Sequence, residues 1–335
     1  MLEWRIYKKE NQPHDDIAFL PPPPPWRAYR GEVPESVRQR RSQTEMYKSE
    51  RGSEFQAGDA EVELVNAALY LRRPLLITGK PGTGKSSLPY AVAWQLKLGE
   101  VLRWPITSRS TLQEGLYRYD ALGRLQESNI NRDTAPDPRD IGRFIRLGPL
   151  GTALYPSDRP RVLLIDEIDK SDVDLPNDLL NVFEEGEFEI PELSRLPADV
   201  RSVDVMPHDG RVITDSVPIV GGSVVCKAFP FIVLTSNGER DFPPAFLRRC
   251  LRLDIPMPDP EKLAKIVRAH LADADEGASM PLIEKFLADV QRGETLATDQ
   301  LLNAIYLVTR PVPMPEEIRR SVQQVLLRPL DSAGS

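Results

Sequence analysis

The chain has 335 residues, 41% of them hydrophobic, and 43 Lys and Arg against 50 Asp and Glu give a net charge of -7. That is long enough for roughly two domains and apolar enough for a real core, which argues against disorder throughout, while the acidic balance argues against a broad basic surface that tracks nucleic acid. Two cysteines, Cys226 and Cys250, without His at ligand spacing give neither a disulfide framework nor a zinc site, and MLEWRIYKKE lacks the apolar core of a secretory signal, so a cytoplasmic protein with no membrane span is expected.

Residues 1–54 form an extension that mixes charge with the run PPPPP at 21–25, between Leu20 and Trp26. Five prolines favour a polyproline II rod, either a ligand for an aromatic groove or a stiff spacer packed on its own domain. From Asp59 to Leu71 apolar residues recur at helical spacing, and Arg72, Arg73 and Pro74 lead into a short strand, LLIT at 75–78. GKPGTGKSS follows at 79–87. SSLPYAVAWQLKLG then predicts a helix, with Pro89 tolerated near its first turn and Gly99 as its stop, and VLRWPI predicts the next strand. Residues 107–150 read as a helical or looped excursion around the polar stretch QESNINRDTAPDPRD, with the return to the sheet at RVLLIDE, 161–167.

DLPNDLLNVFEEG, 174–186, predicts a helix ended by Gly186. Residues 186–227 then alternate polar and apolar around the turn signal HDG at 208–210, as a hairpin-like projection with a large loop. AFPFIVLTSN, 228–237, predicts a buried strand of parallel-sheet character. Composition changes at PMPDP, 256–260: an α/β domain over 55–256 gives way to a small helical domain over 257–335, in which EKLAKIVRAHL, PLIEKFLADV, TDQLLNAIYLV and EEIRRSVQQVLL predict three or four helices.

Gly79, Gly84, Lys85 and Ser86 complete the pattern G-x-x-x-x-G-K-[ST]. Its physics is specific. The glycines, with Pro81, Gly82, Thr83 and Ser87 around them, let backbone N–H groups turn onto phosphate oxygens; Lys85 reaches the terminal phosphates, Ser86 joins a magnesium shell, and a helix N-terminus faces the negative charge. A glycine-rich turn with an incidental lysine is the alternative, and the flanking strand and helix weigh against it. In VLLIDE four apolar residues bury a strand, after which Asp166 can hold magnesium through water and Glu167 can orient or deprotonate a water that attacks the γ-phosphate. An acidic pair alone is often a solvated strand edge, but one cation explains both Ser86 and Asp166, so ATP and Mg2+ are the expected cofactors. Asn237 either positions the attacking water or makes a turn. Arg248 and Arg249 in PPAFLRRC either supply a residue that crosses a subunit boundary to neutralise charge on the transferred phosphate, or face solvent beside Asp254 or Asp259. Asp169 either accepts a neighbouring subunit's arginine or caps the following element.

The order phosphate loop, VLLIDEIDK, TSN, LRRC and helical lid resembles the AAA+ ATPases, and within them the MoxR-like branch, over about residues 55 to 325. DLPNDLLNVFEEGEFEIPEL looks like that branch's helix ending in E-E-G and opening a hairpin, and the excursion after WPITSRSTLQEGL looks like its extra insert on the second helix. The resemblance implies a P-loop NTPase three-layer α/β core with a parallel sheet, followed by a helical lid. It assigns phosphate and magnesium contacts to Lys85 and Ser86, magnesium support to Asp166, the general base to Glu167 and a polar sensor to Asn237. Arg249 looks like the trans-acting finger, with Arg248 as its substitute. One departure stands out: TLATDQLLNAI has no basic residue where members place a lid sensor, which leaves either Arg292 or Arg310 for that contact or a lid that responds weakly to hydrolysis.

What the resemblance implies is an ATPase completed between protomers of a hexameric ring, acting as a chaperone on a protein partner that bears a von Willebrand factor A domain. Two other functions fit parts of the same sequence: a nucleotide-gated assembly scaffold with little turnover, and a small-molecule P-loop kinase. Neither zinc ligands nor a basic aromatic groove supports a DNA-dependent activity.

Overall fold

The computed structural model describes residues 4–10, 12–41, 50–53, 55–130, 137–271, 276–292, 294, 296, 298–309, 322, 325 and 326. An N-terminal arm leads to two short helices, α1 (Glu35–Arg41) and α2 (Glu50–Ser53). In α3 (Asp59–Leu71) the helical spacing of Val62, Val65, Ala68 and Leu69 makes one buried face; Arg72 then takes the left-handed conformation (φ 53°) and turns the chain into β1 (Leu75–Thr78). Beyond the glycine loop a single 3-10 turn, Lys85–Ser87, opens α4 (Leu88–Gln95), with Pro89 in its first turn where no intrahelical N–H is needed. The helix stops at Gln95, short of the expected Gly99, because Lys97 and Gly99 both take positive φ (51° and 84°) in the turn to β2 (Leu102–Pro105).

The excursion contains more regular structure than expected: α5 (Leu112–Leu116), β3 (Tyr117–Tyr119), α6 (Ala121–Ile130), a 3-10 stretch at Pro138–Phe144, β4 (Ile145–Leu147) and the start of α7 (Pro149–Leu154). β3 and β4 form an antiparallel ladder with Tyr117 opposite Leu147 and Arg118 opposite Arg146. Next come β5 (Val162–Asp166) and α8 (Leu175–Glu185), closed by Gly186 at φ 67°. The segment expected as a hairpin-like projection contains β6 (Glu187–Glu189), α9 (Pro191–Ser194), β7 (Ser202–Val205), β8 (Val217–Val220) and β9 (Ser223–Val225), with β8 and β9 antiparallel. These strands form a sheet of order β6-β9-β8-β7. Its alternation puts Val203, Val205, Val217, Ile219 and Val224 into the main core, so the sheet packs down rather than standing free. HDG does make a turn, with the Gly210 N–H donated to Pro207 O at 3.2 Å, but the tight reversal is Gly221–Gly222 (φ 61° and 74°), between β8 and β9.

β10 (Phe231–Ser236), α10 (Pro244–Arg249) and β11 (Leu251–Asp254) complete a five-stranded sheet of order β11-β1-β10-β5-β2, parallel at every pairing. The two-residue period of its strands explains the three layers. Leu75, Ile77, Val162, Leu164 and Val233 pack with Val65 of α3 and Val92 of α4, whereas Leu76, Leu163, Ile165 and Leu234 pack with Leu150 of α7 and Leu179 and Phe183 of α8. Both faces being covered, the strands read as continuous apolar runs. Register aligns Thr78 with Ser236 and Asp254, and Pro105 with Asp166, so the strand C-termini share one edge.

The arm is held by buried amides. Asn66 on α3 accepts from the N–H groups of Ile6 and Tyr7 at 2.7 and 2.9 Å and donates to Tyr7 O and Val62 O, while Gln95 on α4 accepts from Lys8 N at 2.7 Å. The proline run crosses the foot of α3, where Arg72 donates to Pro21 O at 2.5 Å, and Trp26 stays 80% exposed. After β11 the chain enters α11 (Pro260–His270), α12 (Glu276–Gln291) and α13 (Thr298–Thr309), whose Leu263, Phe286, Leu301 and Ile305 make a core of their own. The fourth expected helix, 316–327, lies outside the described residues apart from 322, 325 and 326, as does Arg310; Arg292 pairs with Asp289 at 3.2 Å. Among the described residues no helix is long and apolar enough to cross a membrane.

Candidate functional site

The C-terminal ends of β1, β5 and β10 converge on the loop 79–87. Three of its glycines, Gly79, Gly82 and Gly84, have positive φ (152°, 77° and 88°), which an L side chain rarely adopts, and a Cβ at Gly79 would come within 2.5 Å of Ile255 O. Pro81 and Gly82 form the crest of the loop. Thr83 ties its base, donating from Oγ1 to Lys80 O at 3.0 Å, and the Ser87 N–H donates to Gly84 O at 3.0 Å. Lys85 is buried with its Nζ inside the loop, donating to Gly79 O at 2.6 Å and Lys80 O at 2.8 Å. Burial holds its pKa below the ordinary lysine value, against the pull of Asp169, Asp166 and Glu167.

Ser86 and Asp166 meet across the sheet edge. Asp166 Oδ1 accepts from Ser86 Oγ and from Thr235 Oγ1, both at 2.8 Å, and Oδ2 accepts from Arg103 Nη2 at 2.6 Å and Nε at 3.1 Å. Burial pushes the carboxyl up, but the hydrogen bonds from Arg103, Ser86 and Thr235 outweigh it and leave the group below the usual carboxylate range. Two hard oxygens 2.8 Å apart, one of them anionic, are a donor set that suits magnesium, which takes one or two protein oxygens and completes its shell with water and phosphate.

Glu167 follows in the left-handed region (φ 62°), its N–H donated to Thr235 Oγ1 at 2.9 Å, so one threonine hydroxyl fixes both members of the acidic pair. Its carboxylate is paired with Lys170 at 2.9 Å and is 43% exposed. Asn237 stands at the end of β10, partly exposed, its N–H donated to Asp169 Oδ2 at 2.8 Å. Asp169 is 5% exposed and also accepts from Glu239 N at 3.2 Å, so it caps the turn after β10; its Oδ1 is buried without a hydrogen-bond partner among the described residues.

Arg248 and Arg249 lie elsewhere. They end α10 and are separated by Cys250 from Leu251, which is in register with Leu75 at the start of β1, the sheet edge opposite the glycine loop. Arg249 makes a two-pronged contact with Glu184 of α8, Nη2 to Oε2 at 3.1 Å, whereas Arg248 is exposed. The structure thus gathers residues 79–87, Asp166, Glu167 and Asn237, and leaves both arginines apart from them. Sequence reasoning missed Arg103 and Thr235. A charged residue inside the strand VLRWPI was the available signal for the first; nothing in FIVLTSN distinguished the second.

The AAA domain family, dynein-related subfamily, matches residues 74–250. Among solved structures, the crystal structure of NtrX from Brucella abortus in complex with ADP aligns with a TM-score of 0.37 and 14% identity, over 77% of this chain and 53% of that one, so the chain spans about half the length of that protein. No curated protein matches the chain.

Proposed function

Since the chain belongs to the dynein-related subfamily of the AAA domain family, whose general activity is ATP hydrolysis, we propose that it is a magnesium-dependent ATPase of the MoxR-like branch, with active sites completed between adjacent protomers of a hexameric ring. The observation that carries this is the 2.8 Å approach of Ser86 Oγ to Asp166 Oδ1 beside the buried Lys85. In this assignment the loop N–H groups and Lys85 would hold the phosphates, and Ser86 and Asp166 would hold the cation, which would supply charge neutralisation at the phosphates. Glu167 takes the proton of the attacking water once it leaves Lys170, and Asn237 orients that water from the next strand end.

Arg248 and Arg249 are separated from their own chain's loop by the length of β1, roughly 10 Å for its three residue steps, so either acts on a phosphate only in a neighbouring protomer. The Arg249–Glu184 pair favours Arg248 as that residue, reversing the preference drawn from the sequence, and gives Arg249 the task of holding α10 on α8. Hydrolysis then moves the lid relative to the α/β core, and that rocking acts on a protein partner, of the von Willebrand factor A class by the MoxR-like resemblance.

The Glu167–Lys170 pair also favours a second reading, a nucleotide-gated scaffold in which the base is withheld and turnover is slow. Mass determination with and without a nonhydrolysable ATP analogue, coupled to phosphate release, separates the two: nucleotide-driven assembly with turnover supports the ATPase, assembly without turnover the scaffold, and a monomer under both conditions refutes the ring.

A further inference from the structure

β2 is an edge strand of the main sheet, and the groove of about 610 Å³ beside it is lined by Arg103, Arg109, Arg118 and Arg146, with His208 and a single carboxylate, Glu114. Four guanidiniums around one acid is a local reversal of a chain whose net charge is -7. Arg118 and Arg146 are directly opposed on the β3/β4 ladder, an arrangement that repels unless an anion lies between the two. Arg146 spends its Nη2 on His208 O at 3.0 Å and Gly210 O at 2.8 Å, which fixes the loop after β7 as one wall, and neither Arg109 nor Arg118 has a carboxylate partner among the described residues. The fourth arginine joins the groove to the candidate site, because Arg103 is 52% exposed and lines the groove while it grips Asp166 Oδ2.

We propose that this groove binds an acidic segment of a protein partner through its arginines, and that the bound carboxylates draw Arg103 off Asp166, so that partner docking is read as stronger cation binding at Ser86 and Asp166. Guanidinium forks match carboxylates in two-pronged geometry. Nucleic acid fits less well: Trp104, the aromatic residue in the lining, is 6% exposed and offers no stacking platform, and the chain's overall charge repels a long polyanion. Pro105 in the edge strand removes an N–H, so recognition runs through side chains rather than strand addition. The coupling is reciprocal: whatever factor the acidic ligand adds to cation affinity, the cation adds to affinity for the ligand. The second half of the proposal rests on the ATPase assignment; the docking half does not.

The test uses the full chain and a fluorescein-labelled oligoglutamate peptide followed by anisotropy, with Mn2+ binding in the presence of ADP followed by electron paramagnetic resonance. The peptide is expected to bind without nucleotide and to weaken as salt rises. Arg118→Glu is expected to lower its affinity by about tenfold or more, the loss of a charge-assisted hydrogen bond, while raising the melting temperature by relieving the Arg118/Arg146 opposition. Peptide should tighten Mn2+ binding several-fold in the wild type, and Arg103→Ala should bind Mn2+ tightly with no further response to peptide. Equal peptide affinity in Arg118→Glu and the wild type overturns the site, and tighter binding of a single-stranded oligonucleotide than of peptide reassigns it to nucleic acid. Unchanged Mn2+ affinity with peptide bound overturns the coupling. A protein that binds peptide but no ADP refutes the ATPase assignment and leaves the docking site standing.

Discussion

The two edges of the five-stranded parallel sheet carry opposite arrangements of charge. At the strand C-termini, Lys85, Ser86, Asp166 and Thr235 lie within hydrogen-bond reach of one another or of the loop, and their polar atoms are almost all satisfied from within the chain. At the N-terminal edge Arg249 is paired but Arg248 is exposed. The first edge is a preorganised receptacle; the second presents a cation outward. A parallel sheet cannot bring its two edges together, which is why the proposed chemistry takes its arginine from a second chain.

Substitutions test that contrast, the largest effects lying at the receptacle. Lys85→Ala should abolish nucleotide binding in calorimetry, since it removes the cation at the centre of the loop; full binding would refute the phosphate assignment. At the opposite edge, Arg248→Ala should leave binding in each protomer intact and lower turnover by about a thousandfold or more, with recovery in mixed assemblies that restore one competent interface. If Arg249→Ala shows that behaviour and Arg248→Ala does not, the pairing with Glu184 has been misjudged as a resting contact. Glu167→Gln should retain ATP and lose about a hundredfold to ten-thousandfold in phosphate release, and unchanged release would remove Glu167 from the role of base.

Smaller effects sharpen the same comparison. Thr235→Val deletes the hydroxyl shared by Asp166 and the Glu167 N–H, and should cost about 1–3 kcal/mol in denaturant unfolding. The pH dependence follows from Asp166. Its folded pKa is depressed, so its contribution to stability is present above the ordinary carboxylate value and is lost as pH falls toward the depressed one. Arg103→Ala removes the guanidinium hydrogen bonds that help to lower it, and should shallow the loss of stability between neutral and acidic pH; an unaltered acid profile would show that the Arg103 contact contributes little in solution.

Much of this is legible in the sequence. The glycine loop could be read because positive φ at fixed intervals leaves little choice of residue, and β1, β5 and β10 because strands covered on both faces must be apolar at nearly every position. The excursion was harder, because three-residue strands such as β3 and β4 are too short to show a period. The sheet β6–β9 is harder to place from sequence because alternation reveals that one face is buried without saying against what; β7 packs on the 3-10 stretch 138–144 and β9 on α7, both distant in sequence.

Loop chemistry, strand identity and the lid's amphipathic helices were therefore determined by the order of residues alone, since each depends on local backbone preference or on periodicity. Which guanidinium holds which carboxylate was not. Arg103 reaches Asp166 and Arg249 reaches Glu184 across 63 and 65 positions of sequence, and Coulombic attraction selects a partner by distance in space, which only the packed sheet and its flanking helices decide.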